Sequence, residues 1–487
     1  MRRICGVETE YGIQVDGVDN MDVVVESMEL IRCYLHQDFV AIWNYALENP
    51  RLDMRGFEVD ELRNDVDETL HLQKDRQRQI PLKDLKSDLI IHNGARLYND
   101  HTHPEFSTPE CYGLHDLVAV DRAGEQILLQ CAKERTATRG EGVVRLYKNN
   151  TDFEGHSYGC HENFLLSREI PFQQVIDGLL PFVVTRQIFA GAGKVGVEQD
   201  SRASAATYQL AQRADFFEVI ASVDTMHRRP LVNTRDEPHA VSSRYRRLHL
   251  ILGDANMSAY ATALKVGSTS LVLNLIASGE KFPGLELADP VADVSKVSLD
   301  KTAALQRKTS GTVTALEIQE AYLEAAEKAY AGKDREWDWI LVEWKKTLDE
   351  LRHSPEKLSD RIDWAIKEKL FTEFMESEGI GWEDPILKSL DLEYHNLDPD
   401  RGLYRGLEQE GDVYSLLSEE EIVRAIELPP VGTRAQIRGQ AVAQNAENIK
   451  RIHWTGVEFV NGEILDLTGV ISSEEVEEIL NTSKQLI

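Results

Sequence analysis

Two carboxylates stand near the start of the chain in Glu8-Thr9-Glu10. Residues Ile4 to Ile13 read as one strand closed by Gly12, and side chains along a strand alternate faces. Glu8 and Glu10 therefore share a face, while Val7, Thr9 and Tyr11 take the other. Carboxylates so close repel, and burial raises their pKa values unless a cation compensates. Two readings stay open: an exposed strand edge, or a divalent-ion site in which Mg²⁺ shares carboxylate oxygens with substrate phosphates.

A second cluster runs Asn93-Gly94-Ala95-Arg96-Leu97-Tyr98-Asn99-Asp100-His101-Thr102-His103-Pro104-Glu105. Extended, it puts Arg96, Tyr98 and Asp100 on one face, a cation, a phenol and a carboxylate that make poor core material unless they serve a polar site. Glu105 follows a proline-directed turn, and Thr108 adds a hydroxyl. The His101/His103 pair lacks the further Cys or His that zinc spacing requires. Small residues precede His161 in Ser157-Tyr158-Gly159-Cys160-His161, which reads as a structural histidine or as a ligand. Asn233-Thr234-Arg235-Asp236-Glu237-Pro238-His239 and Arg244-Tyr245-Arg246-Arg247-Leu248-His249 form the most cationic stretch, either a solvated loop or a phosphate clamp. Gly191-Ala192-Gly193-Lys194-Val195-Gly196 spells a dinucleotide fingerprint, but the segment before it has helical spacing and contains Pro181, so the strand-to-helix turn is missing.

Positioning these groups requires a sizeable core, and 487 residues with 42% hydrophobic and 28% charged side chains supply one. Asp and Glu number 83 against 54 Lys and Arg, and the net charge of −29 disfavours nucleic acid and anionic membranes as partners. No apolar run spans a bilayer, and five spaced cysteines read as reduced thiols of a cytoplasmic protein. Residues 21–48 carry helical periodicity, and 51–88, crowded with charge, read as a long, partly ordered surface loop. From 89 to 300 short strands mix with helices, and 312 to about 380 is strongly helical, an α+β pattern. Capping-box spellings open helices at Ser418 and Ser472, with strands expected over 454–459 and 463–467 between them. A boundary near 410 would separate a catalytic domain, 1–410, from a small domain, 411–487.

"GVETEYGI" at 6–13, "NGARLYNDHTHPE" at 93–105, "LYKNNTD" at 146–152, "SYGCHENF" at 157–164, "NTRDEPHA" at 233–240 and "YRRLHLILGDAN" at 245–256 together resemble the Pup ligase/depupylase family. The resemblance implies a glutamine synthetase-like fold whose curved antiparallel sheet cradles ATP and Mg²⁺, with a small C-terminal domain. It implies magnesium ligands at Glu8, Tyr98 and Glu105, with Glu10 as a further one, and His161 and His239 at the metal and phosphates. It matches Arg96, Thr108 and Arg235 to nucleotide-contacting positions, Trp454 to an adenine-lining tryptophan, and Asp100 to the catalytic aspartate.

The family has two branches, acting on the small modifier Pup and its protein conjugates. One ligates Pup to lysine through a γ-glutamyl phosphate. The other deamidates Pup's C-terminal Gln and hydrolyses the Pup–lysine bond, with nucleotide as cofactor. Trp43-Asn44-Tyr45, Arg51–Phe57 and the polar stretch after them resemble the insertion that marks the hydrolase, as does the short Asp100-to-Glu105 spacing. Asp121-Arg122-Ala123-Gly124-Glu125, Ile362-Asp363-Trp364 and Glu8-Thr9-Glu10 look more like the ligase, which stands as the alternative.

Overall fold

The computed structural model describes residues 3–18, 20–34, 42–63, 66–140, 142–198, 208–225 and 227–482. An eight-stranded sheet runs in the order Val219–Ser222, Pro230–Asn233, Tyr245–Leu250, Cys160–Ser167, Cys5–Glu10, His103–Ser107, Arg96–Asp100, Leu89–Ile90. Neighbours are antiparallel except the first pair, which is parallel. One face is apolar: Val7, Leu97, Phe106, Phe164, Leu166, Leu248 and Leu250 are all buried in the main core. Helices Leu114–Arg139 and Ala259–Ala277 pack in that core; the second is buried nearly all round, as a core helix should be. The opposite face carries the polar side chains of the same strands. The fold is α+β.

Gly124, inside the long helix, lies directly beneath the Phe106 ring, where a Cβ could not fit. Phe106 precedes the site strand's Ser107 and follows Glu105. Gly124→Ala is therefore expected to cost roughly 1–3 kcal/mol by overpacking, read as a lower denaturant midpoint; an unchanged midpoint would show that the ring moves aside freely.

The expected 4–13 strand is two strands. The chain turns at Tyr11, and Gly12–Val15 pairs with Val144–Tyr147 in a separate ladder. The helix expected over 21–48 is Val23–Arg32, and Leu35 lies outside the described residues. The 51–88 segment is more regular than its composition suggested. It holds a Leu52–Asp53/Phe57–Glu58 hairpin and helices Val66–Gln77 and Leu82–Lys86. The longer helix is polar along most of its sequence, so it shows no apolar stripe for periodicity to reveal. Both capping boxes are present: Glu421 N–H donates to Ser418 Oγ, and Glu475 N–H to Ser472 Oγ.

Packing divides later than residue 410. Val413, Leu417, Ile422 and Ala425 belong to the main core, whereas a second cluster joins Ile437, Ile449, Ile452, Val457, Phe459 and Leu465 to Trp43 and Ile90. Its sheet runs Ile464–Asp466, Gly456–Phe459, Ile449–His453, Ile42–Trp43, so an N-terminal strand completes a C-terminal sheet. Trp454, expected in a strand, sits in the turn between two of them. The Gly191–Gly196 segment follows a helix, and Lys194 is bound to Asp215 at 2.8 Å and Glu198 at 3.1 Å, which leaves it no phosphate to hold.

Candidate active site

Alternation and register together build the site. Glu10 faces Glu105 across one strand pair, and Glu105 faces Tyr98 across the next; Glu8 faces His161 on its other side. These side chains line a cavity of about 760 Å³, with Arg96, Asp100, His103, Arg229, Arg235, Glu237, His239, Arg247, His249 and Trp454. A smaller recess of about 90 Å³ opens beside it, walled by Val7, Thr108, Phe164, Leu165, Val470 and Trp454. The two share Glu8, Ser107, His239, Arg247 and Trp454.

The acids divide into two sets. Oxygens of Glu10, Asp100 and Glu105 lie within 4.8 Å of one another, as do ligand atoms of Glu8, His161 and His249. The single ligand set expected from sequence is thus split, and Asp100 stands beside two of its members. His239 joins neither; its ring packs edge-on against His453 at 5.3 Å. His249 stands with Glu8 and His161 instead, its Nε2 3.4 Å from Glu8 Oε2 and both ring nitrogens buried without a hydrogen-bond partner among the described residues.

Electrostatics separates the carboxyls. Burial, then the charges of Asp100, Glu8 and Glu10, push the Glu105 carboxyl well above its ordinary value. Burial acts the same way on Glu8, but His249, His161 and Arg247 outweigh it and hold this group well below the usual range. Asn163 Nδ2 donates to Glu8 Oε1 at 3.1 Å, and Arg247 at 3.3 Å. Burial also opposes ionisation of Asp100, but Lys86 and His101 overcome it and keep the carboxylate ionised. Lys86 Nζ donates to Asp100 Oδ1 at 2.9 Å. Burial and the neighbouring Glu105 and Asp100 charges hold the Tyr98 phenol protonated, so it can offer a cation only a neutral oxygen. Three clustered carboxylates, one of which cannot stay ionised unaided, are chemistry suited to a hard divalent cation such as Mg²⁺.

Arg96 is fixed. Its guanidinium lies 3.9 Å from the Trp43 ring and 3.8 Å from the Tyr98 ring, and Nε donates to Asp88 Oδ1 at 3.0 Å. Thr108 Oγ1 accepts from Val7 N–H at 2.9 Å, at the wall of the recess. Arg235 lines the cavity with Nε donating to Val223 O at 3.0 Å. Trp454 meets Trp43 edge-on at 5.5 Å and lies 4.8 Å from Arg438.

Arg438 fastens this tryptophan to the sheet. It donates to Trp454 O at 3.0 Å, to Gly94 O at 2.9 Å and to Glu110 Oε2 at 2.6 Å. Burial would raise the Glu110 pKa, but Arg438 and Arg434 lower it from 4.5 to about 2. A depressed carboxyl contributes stability above its unfolded pKa, and that contribution is lost as pH falls from about 4.5 through about 2. Glu110→Gln is expected to flatten the acid limb of the stability profile by on the order of 3 kcal/mol. Parallel profiles for parent and mutant in denaturant melts at stepped pH would contradict this.

Lys86, Glu110 and Arg438 were not singled out in the sequence, and His249 stood there only as the end of the cationic stretch, with no role of its own. His249 alone had a usable signal: two residues beyond Arg247 on one strand, it must share that arginine's face.

A family profile described as "Pup-ligase protein" matches residues 3–458. A depupylase from Acidothermus cellulolyticus is 39% identical, covering 98% of this chain and 93% of its own. A Pup–protein ligase from Nakamurella multipartita is 42% identical, covering 76% of this chain and 83% of its own. A solved structure of the Pup ligase PafA in complex with ADP superposes with a TM-score of 0.75 at 33% identity, covering 88% of this chain and 97% of that one.

Proposed function

This chain belongs to the Pup-ligase protein family, and from that premise we propose that it is a depupylase and Pup deamidase. It hydrolyses the side-chain amide of Pup's C-terminal Gln and the Pup–lysine isopeptide bond, with ATP and Mg²⁺ as cofactors. The observation that carries this reading is Asp100: an ionised carboxylate held by Lys86 on the wall of a cavity large enough for nucleotide and a peptide end. An amide carbon needs such a group, acting either as nucleophile or as base toward water.

The cavity supplies the rest. Glu8, Glu10, Glu105, His161 and His249 would hold the cation, with Tyr98 offering its neutral oxygen, and Arg235 and His239 would face the phosphates. Thr108 and Trp454 line the recess suited to a purine. Bound magnesium would supply Lewis-acid polarisation of the carbonyl. Arg235 and Arg247 provide fixed positive charge for the developing oxyanion. A structural relative solved in complex with ADP supports nucleotide binding.

The hydrolase branch is favoured by the 51–88 segment, which is built into the cavity wall. Met54 N–H donates to Thr234 O at 2.8 Å, Asp236 N–H to Leu52 O at 2.7 Å, and Lys86 reaches Asp100. The depupylase relative aligns over 98% of this chain, the ligase relative over 76%. The ligase reading draws on the 42% identity with that second relative. A mixing assay separates them. Ammonia release from Pup ending in Gln, and cleavage of a Pup conjugate, are expected with ATP and Mg²⁺. ADP formation coupled to conjugate growth from Pup ending in Glu would instead establish the ligase.

A cytoplasmic setting is supported by the free thiols of Cys5, Cys33, Cys111, Cys131 and Cys160. No helix among the described residues is long and apolar enough to cross a membrane.

A further inference from the structure

Asp100 stands in two places at once. Its carboxylate is the group proposed to act on the amide, yet it lies within 4.8 Å of the Glu10 and Glu105 oxygens. A hard divalent cation collects six or more oxygens, and a third carboxylate within reach is an ordinary ligand. A coordinated carboxylate has its lone pairs engaged and attacks poorly. Something must hold Asp100 back.

We propose that Lys86 is a positioning residue that keeps Asp100 out of the cation's coordination shell and so reserves it for the amide carbon. The inference rests on the depupylase reading of the same site. Lys86 Nζ donates to Asp100 Oδ1 at 2.9 Å, with the two side chains 22% and 28% exposed. The residues on either side of it are anchored. Asn99 Nδ2 donates to Leu85 O at 2.9 Å, and Arg32 Nε to Ser87 Oγ at 3.3 Å. Ser87 adopts the left-handed conformation, φ 47°, which turns the next residue, Asp88, back onto Arg96. Tyr45 O–H donates to Asp88 Oδ2 at 2.6 Å. Lys86 is thereby a fixed ammonium and not a wandering surface lysine. His101 Nε2 stands farther off, 3.9 Å from Asp100 Oδ1, on a side chain that is 44% exposed.

The test reads cation binding separately from turnover. In the full chain, Lys86→Met is expected to lower kcat for ammonia release from Pup ending in Gln by about 10²-fold. It should also tighten Mn²⁺ binding, followed by electron paramagnetic resonance, because Asp100 becomes a ligand. Lys86→Arg, which keeps the charge, should retain the parent's Mn²⁺ affinity and most of its kcat. If Lys86→Met is not recovered folded, Lys86→Gln serves in its place. Mn²⁺ binding that weakens together with kcat would mark a merely structural lysine, and an unchanged kcat would equally overturn the proposal. A parent protein inactive on Pup ending in Gln would sink the depupylase reading, while the Mn²⁺ comparison would still judge Lys86.

Discussion

Asp100→Asn is expected to fold, bind nucleotide with the parent's affinity, and release ammonia from Pup ending in Gln roughly 10³-fold more slowly or worse. The amide keeps the shape of the carboxylate, and its oxygen can still accept from Lys86 Nζ, now at 2.9 Å from Asp100 Oδ1. The lost element is the negative charge, which Lys86 and His101 maintain in the parent against burial. Asparagine can neither attack a carbonyl carbon nor take a proton from water. Ammonia release and nucleotide titration on the same preparation check both halves. Turnover near the parent's would remove Asp100 from the chemistry, and loss of nucleotide affinity with it would place Asp100 among the cofactor's ligands instead.

The largest expected loss of stability comes from Arg96→Met. Arg96 is 8% exposed, flanked by the Trp43 and Tyr98 rings and paired with the equally buried Asp88. Removing the cation strands the Asp88 carboxylate, which keeps the hydrogen bond donated by the Tyr45 hydroxyl. Breaking a buried pair from one side costs about 3–5 kcal/mol. The double substitution Arg96→Met/Asp88→Asn should recover a large part, because no uncompensated charge remains. Denaturant midpoints followed through the summed fluorescence of the seven tryptophans, Trp43 among them, check this. A single-mutant loss below about 1 kcal/mol, the worth of an exposed pair, would mean that water reaches Asp88.

Residue alternation made much of the site readable in advance. Glu8 with Glu10, and Arg96 with Tyr98 and Asp100, were placed on common faces by strand periodicity alone, and the sheet keeps them there. The dismissal of the glycine-rich segment rested on Pro181 and helical spacing, and that stretch is helical. Local pattern carries no information about which strands become neighbours, so the split of the acids into two sets was invisible. The same limit kept His249's place beside Glu8 and His161 out of sight. Lys86 was hidden for another reason: it sits in a charge-crowded segment whose helices lack an apolar stripe, so nothing marked one lysine from the rest. The break at Tyr11 escaped notice because both halves of the segment remain extended and change only their pairing partners.

The cavity is lined by both Glu8 and Trp454, and Ile42–Trp43 pairs with Ile449–His453. A nascent chain emerging from the ribosome therefore carries its acids long before the tryptophan that closes the recess. Synthesis must pass His453 before Ile42–Trp43 finds its sheet, so nucleotide affinity should be absent from nascent chains that stop short of that strand.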